Sequence, residues 1–277
     1  MKKKILFGLL GLVVAMFTMT ACSNDDDDNN GGGTSSGLKL TSVDWGGGEM
    51  SNYTYDEQGR IIKLSHSYSI YGQNEVVTFD YQNNTIKMTE YDNGVEGITA
   101  KYTIENGLIT EGVETNDEGE VIGNMKYFYD KEGQLVSISK KYERYGYDDK
   151  NISINWKDGN IDSYTYNSNS GSSDSKPETY TCQYTSYSTA KGLVVNYFAL
   201  DFGIPIYYDL MPDFVLFNLG YFGKQPKNLL SSVQYDDDEI DSYTYTFAGK
   251  DGYVSSCTVT EKYDGKTYTH VQKYTWE

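Results

Sequence analysis

Two histidines, His66 and His270, and three cysteines, Cys22, Cys182 and Cys257, are the whole supply of imidazole and thiol in this chain. They are scattered, and none shows the i, i+4 spacing of a metal-binding helix or the paired spacing of a zinc knuckle. No phosphate-binding loop, no G-x-G-x-x-G after a strand and no G-x-S-x-G elbow is present. Neither a metal nor an organic cofactor is therefore expected, and no catalytic residue is assigned. Carboxylates are so abundant, 40 Asp and Glu, that a glycosidase-like pair can be drawn almost anywhere. A carboxylate-based hydrolase stays only as an alternative to a non-catalytic binding role. The acidic clusters Tyr145–Asn151 and Gln234–Ile240 lack the alternate ligand spacing of a calcium loop and read as solvated turns. Tyrosine is the richer signal, because an amphipathic ring both packs in a sheet and stacks on a ligand. Of the 28 tyrosines, Tyr68, Tyr71, Tyr145 and Tyr147 lie near loops and are the candidate contact residues.

Cys22 has a different chemistry. Lys2, Lys3 and Lys4 precede the apolar run Ile5–Phe17, and small residues lead to Ala21 and Cys22, the layout of a secretory signal. The run is too short for a spanning helix, which needs about 20 apolar residues. Met19-Thr20-Ala21-Cys22 resembles a bacterial lipobox. That resemblance implies cleavage between Ala21 and Cys22, a thioether-linked diacylglycerol on Cys22 and acylation, such as palmitate, of the new amino terminus. Two or three chains, at about 0.8 kcal/mol per buried methylene, hold a protein stably on a leaflet where one chain does not.

Residues 22–36 carry Asp25–Asp28 among Asn, Gly, Ser and Thr and bury nothing, so a flexible acidic tether is expected. Four aspartates just behind a lipidated cysteine resemble the export signal of Bacteroidetes surface lipoproteins, which implies the outer face of the outer membrane. A periplasm-facing scaffold is the alternative. The net charge of −17 becomes more negative once the leader removes its lysines, and such a surface repels nucleic acid and anionic headgroups. The membrane partner is then the lipid anchor alone. An oxidising compartment allows one disulfide between Cys182 and Cys257, with buried free thiols the default reading.

The elements positioning these residues are strands. Val77, Phe79 and Tyr81 alternate with Thr78 and Asp80, and Ile98, Ala100 and Tyr102 alternate with Thr99 and Lys101. Period two with one packed and one wet face predicts antiparallel strands. Turns rich in Gly, Asn and Asp separate the runs at hairpin spacing. Residues 37–277 therefore read as one all-β domain: a large antiparallel meander of about fifteen strands, strongly curved or barrel-like. Tyr53–Ser65 and Tyr127–Ser139 repeat the pattern Tyr-x-Tyr-Asp-x-x-Gly and resemble the YD-repeat hairpins of bacterial shell proteins. Gly192–Phe222 breaks the alternation. It is expected to plug the concavity, with a short helix from Pro212 stopped by Gly220.

The stretches "VVNYF" (194–198), "LGYFGKQPKNLLSSV" (219–233) and "YTYTFAGKDGYVSSC" (243–257), with the "YTYDEQGRI" hairpin, resemble the Bacteroides lipoproteins grouped as DUF4595. The resemblance implies a porin-like, curved or barrel-shaped sheet and brings no catalytic residues. Charge on both faces of Ser139–Tyr147 argues against a lipid-facing band, so the likeness is read as one of shape. The function expected is a surface-tethered, non-catalytic module that binds a glycan or protein ligand.

Overall fold

The computed structural model describes residues 38–68, 72–143, 149–169, 177–188, 212–236, 239–248 and 252–277. The strands run in chain order as β1 (Leu40–Gly46), β2 (Glu49–Tyr55), β3 (Ile61–Tyr68), β4 (Gln73–Gln82), β5 (Thr85–Asp92), β6 (Val95–Glu105), β7 (Leu108–Thr115) and β8 (Val121–Tyr129). They continue as β9 (Leu135–Tyr142), β10 (Asp149–Lys157), β11 (Asn160–Asn169), β12 (Glu178–Ser188), β13 (Asn228–Asp236), β14 (Glu239–Ala248), β15 (Tyr253–Tyr263) and β16 (Lys266–Trp276). Each strand pairs antiparallel with its neighbours in sequence, and β16 returns to β1 with Val43 opposite Tyr274. The meander is a closed barrel of 16 strands. Closure removes the sheet edges that would otherwise template aggregation.

Local chemistry builds the hairpins. Asn93-Gly94, Asn106-Gly107, Asp158-Gly159 and Asp264-Gly265 all take positive φ, as a two-residue turn matching strand twist requires. The longer turns share another device. Asp130 accepts from the amides of Glu132 and Gln134 through one carboxylate oxygen, Asn116 accepts from those of Glu118 and Glu120 through its side-chain amide oxygen, and Gly133 and Gly119 supply the left-handed residue.

The faces sort by polarity, with large apolar side chains inward and charged ones outward at mid-strand. Val43, Leu64, Val77, Ile86, Met88 and Tyr102 point inward and are essentially inaccessible. Asp80, Lys87 and Lys101 sit directly opposite one another on β4, β5 and β6 and point outward, exposed.

Helix α1 (Pro212–Asn218) leads into the plug. Gly220, at φ +80, ends it, as expected from the sequence, and Gln225 Nε2 donates to the carbonyls of Phe217 and Asn218. Phe222 lies against Tyr102 and Tyr127, and Tyr221 stacks on Tyr81. Backbone bonds tie the plug to the barrel: Ile109 N–H donates to the Tyr221 carbonyl, and Lys224 N–H to that of Gly133. The rest of the apolar segment, 192–211, lies outside the described residues.

Candidate functional site

The two ends of the barrel interior differ. At the end holding the plug and both Leu40 and Trp276, the inward residues are Leu40, Ile61, Ile86, Ile109, Leu135 and Val254. Aromatic donors seal that rim. Tyr55, Tyr81, Tyr129, Trp156, Tyr245 and Trp276 each donate to a carbonyl at the start of the preceding strand, those of Leu40, Ile61, Ile109, Leu135, Leu230 and Val254, at 2.6–2.8 Å. Tyr55, Tyr129 and Trp156 each follow a β-bulge, which re-aims the ring along the rim.

At the opposite end the same inward register carries polar groups. Trp45 Nε1 donates to Ser51 Oγ at 2.7 Å, Ser51 Oγ lies 2.8 Å from His66 Nδ1, and the His66 ring meets Tyr68 edge-on. Glu75 and Glu90 are buried close by. Burial, with Glu75 and Asp92 adding repulsion, pushes the Glu90 carboxyl up to about 7. Further round, Lys140 Nζ and both carboxylate oxygens of Glu114 form a fully buried pair at 2.7–2.8 Å. Gly123 makes room for it: a Cβ there would stand 2.7 Å from Glu114 Oε2 and 3.2 Å from Lys140 Cε. Lys150 Nζ sits 5.4 Å and 6.0 Å from the ring centres of Tyr166 and Tyr142, a cation–π arrangement.

The remaining wall, β11 to β16, contains a recess of about 440 Å³ lined by Tyr235, Glu239, Asp241, Glu261, Lys262 and Tyr268. Tyr164 stacks on Tyr180, Tyr180 meets Tyr235 edge-on, and the Tyr235 hydroxyl donates to Asp241 Oδ2 at 2.7 Å. Burial holds the Asp241 carboxyl above its ordinary range; Glu261 and Glu239 add to this, while Tyr235 and His270 oppose it. The recess offers acceptor oxygens, aromatic faces and net negative charge.

The residues singled out from sequence fall unevenly. Tyr68, expected as a loop contact, is a correction: it is 7% exposed, inward at the end of β3, with its hydroxyl toward Glu75. Its closeness to a loop hid the fact that β3 alternation, through Leu64 and His66, puts Tyr68 on the inner face. Tyr71, Tyr145 and Tyr147 lie outside the described residues, as do Ala21 and Cys22. Cys182 and Cys257 are buried free thiols, and burial pushes the Cys182 thiol up to about 12, which keeps it protonated and unreactive. His66 and His270 stand on different strands of the barrel, and no grouping of three or more His, Cys, Asp or Glu suited to a metal occurs among the described residues.

The recess residues were missed because "QYDDDEI" reads as a solvated turn. The signal was there: Tyr243 and Tyr245 face inward, so two and four residues earlier Asp241 and Glu239 share that face.

Comparison with known proteins agrees with this architecture. The chain has the fold of a porin-like protein from Bacteroides uniformis, at 18% identity and a TM-score of 0.59 over 87% of this chain and 95% of the other. A porin-like protein from Bacteroides vulgatus gives 14% identity and a TM-score of 0.60 over 86% and 98%. Among curated proteins there is no match. Residues 53–256 match the family described as a domain of unknown function (DUF4595) with porin-like fold, and the chain belongs to that family.

Proposed function

We propose that the protein is a lipid-anchored, non-catalytic binding module that stands outside the bilayer and takes its ligand at the polar end of the barrel. The observation that carries this reading is the gradient inside the barrel. Apolar and aromatic side chains with the plug fill the end where the chain enters at Leu40, and hydrogen-bonding and charged groups line the other.

A membrane-spanning barrel has the reverse arrangement, with an apolar outer band and a polar lumen. Charges such as Lys87 and Lys101 at a bilayer midplane would each cost about 2–4 kcal/mol. The lipobox-like Met19-Thr20-Ala21-Cys22 supplies the membrane attachment in this reading, and the acidic residues 25–28 the route to the cell surface.

The test uses the full chain. Wild type should partition into detergent and be removed from intact cells by added protease, whereas Cys22→Ala should appear in the aqueous phase. Glycan and peptide arrays probed with the purified protein should show binding that is lost when Tyr235 and Tyr268 are both changed to Ala. Array binding unaffected by that double change, or detergent partition unaffected by Cys22→Ala, would overturn the corresponding half of the proposal.

A further inference from the structure

Alternation fails at one place on β5. Met88, Thr89 and Glu90 are buried in succession, at a register break on the β6 side between Thr89, opposite Thr99, and Tyr91, opposite Glu96. A bulge leaves a residue without a ladder partner and re-aims its side chain. On the β4 side the register is unbroken: fully buried Val77 stands opposite Glu90, and buried Glu75 stands opposite Asp92. Residues directly opposite share a face, so Glu90 joins Glu75 on the inner face as its diagonal neighbour, with Asp92 at the exposed end of the same row.

The groups around the Glu90 carboxyl do not neutralise it. From β4 comes Glu75, toward which the Tyr68 hydroxyl of β3 points, and from β5 itself comes Asp92. His66 of β3 stands opposite Glu75, one strand further from Glu90, with Nδ1 at Ser51 Oγ of β2. Ile98 and Ala100 of β6 share the inner face, and Gly97 lies at the break, where an added Cβ would stand 3.8 Å from the Glu90 carbonyl oxygen. Glu96 is opposite outward Tyr91, and Glu114 of β7, opposite Ala100, is already bound by Lys140 of β9. Among the described residues no ion pair includes Glu90. Two buried carboxyls on adjacent strands resist ionising together, and burial, then Glu75, then Asp92 push the Glu90 carboxyl up to about 7.

A latch lies three residues away. Asn93, at φ +48 in the Asn-Gly turn, donates its N–H to the Asn74 carbonyl at 2.8 Å, and its Oδ1 accepts from the Asn74 N–H at 3.1 Å. Both bonds lie one residue beyond the Glu75–Asp92 pair, where the β4–β5 ladder ends. Exposed bonds at the end of a ladder open at a small cost, so a buried charge beside them can decide whether they form.

We infer that residues 90–97, the tip of the β5–β6 hairpin, form a pH-operated clasp on the polar end of the barrel, seated on β4 while Glu90 is protonated and released when Glu90 ionises. The seated tip keeps the carboxyl from water beside Glu75; the released tip hydrates it. The seated form therefore binds the proton more tightly than the released one, and its advantage is full at low pH and is lost as pH rises from about 4.5 to 7.

The experiment follows amide hydrogen exchange in the full chain from pH 4.5 to 8, each rate corrected for the base-catalysed exchange of an unprotected amide. Protection at Asn74 and Asn93 should fall about tenfold across this range. Ile104 is the internal reference, because its N–H bonds the Asn84 carbonyl at 2.8 Å beside the turns at the other end of the barrel. Its protection should hold constant. Glu90→Gln should abolish the fall at Asn74 and Asn93, and Glu75→Gln should move its midpoint to lower pH by removing the facing charge. Two variants are used so that a loss of fold in one, read from its thermal midpoint, leaves the other decisive. Protection that does not change with pH, a fall that persists in folded Glu90→Gln, or a midpoint unmoved in folded Glu75→Gln overturns the clasp. An equal fall at Ile104 overturns it as well, since the whole barrel would then be opening. No ligand enters the measurement, so its outcome is separate from that of the binding role.

Discussion

At the scale of single residues, the interior of the polar end is costly to build and should show it in stability. Glu114 and Lys140 lie 26 positions apart, on β7 and β9, and are wholly buried across Gly123 of β8. Removing one charge strands the other in a low-dielectric interior, so Lys140→Met should lower stability by about 3–5 kcal/mol in urea unfolding. The double change Glu114→Leu with Lys140→Met should recover most of that loss, because the pair's desolvation cost disappears with it. Glu90 gives a pH dependence of defined sign. Its carboxyl titrates at about 7 in the folded chain, above the ordinary 4.5, so between those values the native state binds the extra proton. Stability therefore falls as pH rises from about 4.5 to 7 and stays low above it. Glu90→Gln should flatten this slope and raise the unfolding free energy at pH 8 by about 1–2 kcal/mol after discounting for solvent near the barrel end, with a higher thermal midpoint. A variant with the wild-type slope would place the proton elsewhere. Neither the Glu114–Lys140 pair nor the burial of Glu90 was legible in the sequence, since an acid on a strand looks the same whether it meets water or a lysine two strands away.

At the scale of elements, the hairpin is the repeating unit. Its second aromatic closes the rim by donating to the preceding strand, as Tyr129 does to Ile109 at 2.7 Å. Tyr129→Phe should cost about 1 kcal/mol in denaturant unfolding with no change of fold, since it removes one hydroxyl bond and keeps the packing. The plug is held more heavily. Phe222 is fully buried between Tyr102 and Tyr127, and Phe222→Ala should cost about 3–5 kcal/mol as a large-to-small change in a packed core. Much of this level could be read beforehand. The Tyr-x-Tyr-Asp-x-x-Gly repeat located two hairpins, Asn-Gly and Asp-Gly located turns, and Pro212 with Gly220 bracketed the helix, because each depends on φ preferences or hydrogen bonds a few residues long. Tyr68 was misjudged for the converse reason: its proximity to a loop is local, but its burial depends on the wall of the barrel opposite.

For the whole molecule, a 16-stranded barrel is wide enough to enclose an aqueous channel in a porin. Here inward tyrosines, tryptophans and the plug occupy one end, and charges face outward at mid-strand. Purified protein added to planar bilayers should therefore give no unitary conductance steps. Regular steps would mean that the outer face meets lipid and would remove the reading of a barrel that stands outside the bilayer.

Alternation, turn chemistry and the direction in which each inward side chain points were determined by the amino-acid sequence alone, since all three follow from pleat geometry and the intrinsic φ preferences of Gly, Asn and Asp. Closure of β16 on β1 was decided only by the tertiary structure, as was the gathering of Tyr235, Asp241, Glu261 and Tyr268 around one recess. The reason is that stagger and tilt accumulate strand by strand around the sheet, and their sum, which no local segment encodes, decides which distant residues meet inside.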